Sequence, residues 1–81
     1  MNDIKLLEIY KSTFGIQRFY TEEDSDTALA RMRRLKYYRS INVPILEIAE
    51  IIFEDWNVCK DRREANHIAK KLVTKLANGH A

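Results

Sequence analysis

The side chains that could act as acids, bases, nucleophiles or metal ligands are few and scattered. The chain has two histidines, His67 and His80, and one cysteine, Cys59. A zinc site needs about four such donors at close spacing, and no Cys/His group here has it. Cys59 has no nearby cue for a base, so it reads as a free thiol rather than a nucleophile. Glu47, Glu50 and Glu54 recur at i, i+3 and i+7, which places three carboxylates on one side of a helix. Without further donors they read as a solvated acidic face. There is no glycine-rich phosphate loop, no Gly-x-Ser-x-Gly and no His-Glu-x-x-His. The expectation is a protein that is not an enzyme and uses no metal or cofactor.

The chemistry that is present is cationic. Residues 31–41 hold Arg31, Arg33, Arg34, Lys36 and Arg39 and no acid, with Tyr37 and Tyr38 between them. Such groups neutralise phosphates, and tyrosine rings stack on bases. Arg31, Arg33, Arg34, Lys36 and Tyr37 are therefore candidates for nucleic-acid contact. A second basic stretch holds Lys60, Arg62, Arg63, Lys70, Lys71 and Lys75. Acids dominate residues 1–30 and residues 42–56, so a formal net charge of only +2 hides strong segregation. The blocks either face an outside partner or pair with one another inside the molecule. Both alternatives stand at this level.

The elements that must carry these residues are helices. The first is expected over 3–14, capped by Asn2 and ended at Gly15, with Ile4, Leu7 and Phe14 at helical spacing and Leu6 and Tyr10 beside them. An aromatic connector, 16–20, could be extended. The second helix is expected over 22–41, starting near Thr21 or, alternatively, at Ser25 or Asp26. Its apolar arc is Ala28, Leu29, Met32 and Leu35, with Arg33, Arg34 and Tyr37 opposite. Pro44 suits the first position of a third helix, 44–56. There Ile45, Ile48, Ala49, Ile52, Phe53 and Trp56 follow the helical repeat and should be the most buried stripe. Asp61 with Glu64 resembles a capping box for a fourth helix, 61–77, whose stripe is Ala65, Ile68, Ala69, Leu72, Val73 and Leu76, with Gly79 just beyond its end.

Four such stripes can enclose one core, so the expected fold is all-α, a compact bundle of about four helices in a single domain, 1–81. With 81 residues, 46% of them apolar, the chain buries a thin core. The apolar residues of helices three and four exceed what such a bundle needs. Leu46, Ile51, Trp56, Leu72 and Leu76 are candidates for an interface, most simply in a homodimer. No stretch approaches the roughly 20 apolar residues of a membrane span. The acidic start lacks the pattern of a signal peptide, so a reducing, cytoplasmic setting is expected.

One stretch carries a family resemblance. Arg18-Phe19-Tyr20-Thr21-Glu22-Glu23-Asp24 resembles the Arg-x-Tyr-(Ser/Thr)-x-x-Asp segment of MerR-type transcription regulators, where the wing ends and a helix begins. Leu29-Ala30-Arg31-Met32-Arg33 resembles the run that follows. Ile45-Leu46-Glu47-Ile48 resembles the turn that opens the family's fourth helix. The resemblance covers residues 18–52 with an insertion near Ser25–Ala28. It implies that Arg18 and Tyr20 touch DNA phosphate. The chain departs from the family in having only 17 residues before Arg18, too few for the helix-turn-helix that precedes the wing. Asn42, Val43 and Pro44 also stand where the family prefers Gly, Phe and Ser. A helix-turn-helix built from helices three and four fits poorly as well, because Phe53 falls where the turn needs glycine and Glu54 and Asp55 follow it.

The functional expectation is a small non-enzymatic regulatory protein that binds nucleic acid through a basic helical face, with transcription regulation as its expected role. The alternative is a helical protein-interaction module: an adaptor, inhibitor or antirepressor.

Overall fold

Helix α1, Asp3–Phe14, opens on Asn2, whose side-chain oxygen accepts a hydrogen bond from the Lys5 N–H at 2.9 Å. That satisfies one of the donors a helix start leaves open. The computed structural model describes residues 2–14 and 25–78. The expected helix end at Gly15, the connector 16–20, the helix start at 22–24, Arg18, Tyr20, Gly79 and His80 all lie outside the described residues. Helix α2 is described over Ser25–Ser40. Helix α3 is Ile45–Ile51, followed without a break by a π-helical turn, Ile52–Trp56, and α4 is Arg62–Asn78. All the regular structure among the described residues is helical, a bundle of four helices as the periodicities predict.

Three local details differ from the sequence-based expectation. In α1 the buried side chains are Leu6, Ile9 and Tyr10, while Leu7 and Phe14 are half-buried and Ile4 is exposed. The i, i+3, i+4 set Leu6, Ile9 and Tyr10 packs inward in place of the sparser row of Ile4, Leu7 and Phe14. Pro44 is the residue before α3 rather than its first residue. Its backbone is extended (φ −61°, ψ 149°), and its carbonyl accepts from the N–H groups of Glu47 and Ile48. The third helix is not α-helical throughout, since its last five residues form the wider i→i+5 turn. Ile52 and Trp56 face inward in either form, so apolar spacing alone cannot separate them.

The turns use asparagine where a left-handed backbone is needed. Asn42 (φ 62°) lies between α2 and α3, and Asn57 (φ 54°, ψ 44°) ends the π turn. Asparagine tolerates this region better than most residues. Asp61 then caps α4, accepting from the Glu64 N–H at 2.8 Å.

The core is one cluster. It joins Leu6, Ile9 and Tyr10 of α1 to Ala28, Met32 and Leu35 of α2. Ile48, Ala49, Ile52 and Trp56 come from α3 and its π turn, and Ala65, Ile68, Ala69, Leu72 and Leu76 from α4. Ile48 and Ile52 are 1% and 0% exposed, so the third helix is central as expected. Helix α1 packs on both α2 and α4, and α4 packs in turn on α3. No polar or charged residue is buried among the described residues. No described helix is long and apolar enough to cross a membrane.

Candidate nucleic-acid interface

Of the basic candidates on α2, the structure leaves some at the surface and turns others to structural use. Arg31 points inward. It donates to the Tyr10 phenol oxygen at 2.9 Å and to the Trp56 carbonyl at 3.3 Å, and its guanidinium lies 5.4 Å from the Trp56 ring centre. Tyr10 is fully buried, so this bond satisfies a hydroxyl that water does not reach. Arg31 is thus half-buried and tied to two other helices, which corrects its placement on an outward basic face.

Arg33 stays at the surface but forms an ion pair with Asp3 of α1. Arg39 donates to the Val43 carbonyl at 3.4 Å, bracing the turn after α2. Arg34 and Lys36 are exposed and have no ion-pair partner among the described residues. Tyr37 is 60% exposed and its ring lies 6.1 Å from that of half-buried Tyr38. The outward set on α2 is therefore Arg34, Lys36 and Tyr37, with Arg33 available only in competition with Asp3.

The basic residues of α4 divide in the same way. Arg62 grips the acidic side of the third helix. Its Nε and Nη2 donate to the two Glu50 carboxylate oxygens at 3.2 and 3.0 Å, Glu54 lies 3.7 Å away, and the guanidinium sits 4.9 Å from the Phe53 ring centre. Hydrogen bonding from Arg62, with a second bond from Glu54, holds the Glu50 carboxyl below its ordinary value of 4.5. The bond shared with Glu50, and that group's charge, push Glu54 above it. The expected acidic face is therefore partly a structural clamp. Lys75 bridges to α1 by donating to Ser12 Oγ at 3.0 Å and Thr13 Oγ1 at 3.1 Å, while both hydroxyls donate to the Ile9 carbonyl. Arg63, Lys70 and Lys71 remain exposed without an ion-pair partner among the described residues. His67 is also exposed. Composition singled out the basic character of α4, but only packing separates the occupied cations from the outward ones.

The interface candidates resolve mostly into the core. Leu72 is 0% exposed, and Leu76 and Trp56 are buried with it, so these three finish the core of one chain instead of forming a surface. Ile51 is half-buried against that core. Leu46 alone of the five projects fully outward, at 72% exposure. Tyr37 and Ile41 near the end of α2, and Ile4 on α1, are the other large exposed apolar groups among the described residues. Among the described residues no three His, Cys, Asp or Glu side chains gather as a metal site would require. Comparison with protein-family models, with curated proteins and with solved structures returns no match.

Proposed function

We propose that this chain is a small non-enzymatic regulatory protein, a transcription regulator of the cytoplasm, that binds nucleic acid through the basic face of α2. The observation that carries this reading is the trio Arg34, Lys36 and Tyr37. Two cations without a partner among the described residues flank an aromatic ring that is more than half exposed. Cations of this kind contact the phosphate backbone and release its counterions, and the ring supplies a stacking surface for an unpaired base. The resemblance to MerR-type regulators adds Arg18 and Tyr20 as further phosphate contacts. Base-specific readout is not part of the proposal.

The test is a titration of a fluorescent duplex of arbitrary sequence at about 50 mM salt, repeated at higher salt. Binding should weaken steeply as salt rises, and Arg34→Glu with Lys36→Glu should weaken it further. Absence of binding at the lowest salt removes the proposal. It would favour the second reading, a protein-interaction module or homodimer, for which the exposure of Leu46 and Ile41 is the specific support.

A further inference from the structure

Helix α4 carries an outward line of side chains, two abreast at Lys70 and Lys71: Arg63, His67, Lys70, Lys71 and Thr74. Their spacing, i, i+4, i+7, i+8 and i+11, keeps them on one side of a helix. All five are exposed. The line is about 17 Å long at the rise of an α-helix. The helix's one carboxylate, Glu64, borders its first turn, and the line's three cations have no ion-pair partner among the described residues. The helix's other cations, Arg62 and Lys75, lie off the line and hold neighbouring helices. The largest fully exposed apolar residue of α4 is Ala77. A helix that lies in a lipid surface needs a large apolar side to insert, and here that side is spent on the core. An extended polyanion with regularly placed phosphates matches the line better than a membrane does.

This line is separated from the basic face of α2 by acids on both sides. Both helices turn their apolar sides to the same core, so their outward sides diverge. Helix α1 lies between them on one side. It places Asp3, paired with Arg33, in the groove beside Lys36 and Tyr37, and Glu8, 4.0 Å from Lys5, in the groove beside Lys75. On the other side the third helix places Asp55 in the groove beside Arg34, and Glu50 and Glu54 against Arg62. A single backbone running from one basic face to the other would cross carboxylates by either route, most of them already paired with a cation, so the ground between the two faces is near neutral and offers phosphate no continuous attraction.

We propose that the α4 line is a second, independent site for a nucleic-acid phosphate backbone, so that one molecule holds two segments of nucleic acid at once. This rests on the reading that α2 also binds nucleic acid. The experiment immobilises one duplex on beads and offers a second, fluorescent duplex with the protein at low salt, in parallel with a solution titration of one duplex. Wild-type protein should carry the fluorescent duplex onto the beads. The triple variant R63E/K70E/K71E should still bind a single duplex through α2 but lose this capture, and R34E/K36E should lose it while binding through α4. The neutral set R63Q/K70Q/K71Q, with helical content checked by circular dichroism, keeps the test decisive if the reversals disturb folding. Capture by both α4 variants at the wild-type level would overturn the proposal, as would wild-type binding of one duplex without capture of the second. Binding of the α4 line to vesicles of anionic phospholipid in preference to duplex would overturn it too. Failure of the wild type to bind even one duplex would overturn the function proposed above, and the bridge with it.

Discussion

Arg31 shows why a residue's type does not settle its task. By sequence it stands in a run of cations with no acid nearby, and every such cation is an equal candidate for phosphate. In the folded chain it is the partner of a buried phenol and of a carbonyl at the end of the π turn. Its partners lie 21 and 25 residues away, beyond the reach of helical periodicity. Arg31→Ala should therefore cost stability, about 1–3 kcal/mol, because it removes the hydrogen bonds that tie α2 to the buried Tyr10 phenol and to the Trp56 carbonyl. Arg34→Ala should stay within about 0.5 kcal/mol of wild type, as exposed substitutions usually do. Urea unfolding of the two variants compares them directly, and equal effects would show that Arg31 bears no structural duty. The Glu50–Glu54–Arg62 clamp makes a second residue-level prediction. Glu50 has its folded titration below 4.5, so its favourable contribution is complete above that value and fades as pH falls through the lowered one. Glu54 has the opposite sign, being raised in the folded state, and the fold gains as it takes up a proton. Removing Arg62 by Arg62→Ala should move the Glu50 titration upward toward 4.5. The stability gap between wild type and variant should narrow as pH is lowered from neutral into the acid range. Carboxyl NMR titration reads the first effect and denaturation at several pH values the second.

At the scale of elements, the apolar repeat was a good guide wherever one stripe dominated. Helices three and four have single stripes of Ile, Ala, Leu and Trp, and nearly every residue on them is buried or half-buried. Helix α1 has two adjacent apolar rows, and the one that packs inward is the set Leu6, Ile9 and Tyr10, whose i, i+3, i+4 spacing depends on Ile9. The capping roles of Asn2 and Asp61 were legible because they depend on residues three apart. The π turn was not, since it differs from an α-helix in hydrogen-bond register rather than in which side chains face the core. Ile48→Ala and Ile52→Ala should each cost about 2–5 kcal/mol, enough in a domain of this size to threaten folding. A loss below about 1 kcal/mol at both sites would contradict their place in the core. The left-handed Asn57 offers a subtler check. Asn57→Gly should be neutral or nearly so, whereas Asn57→Val should destabilise by about 1–2 kcal/mol, because a branched side chain resists positive φ.

Across the whole molecule, the outcome of the charge blocks is mixed. Some pair internally, as Arg33 does with Asp3 and Arg62 with Glu50, and others face outward along α2 and α4. The expected surplus of apolar residues shrinks to Leu46 with the half-buried Ile51, because the core absorbs Trp56, Leu72 and Leu76. The radius of gyration, 11.7 Å, matches the roughly 12 Å expected of a folded chain of this length. The principal extents, 31 × 30 × 17 Å, describe a slab rather than a sphere. The chain's one tryptophan, Trp56, sits where α1, α2 and the π turn are knotted together by Arg31. Its indole is consequently a built-in optical reporter: its emission should change as three stretches remote along the backbone come together, so a single dye-free fluorescence trace can time the closing of that corner of the fold.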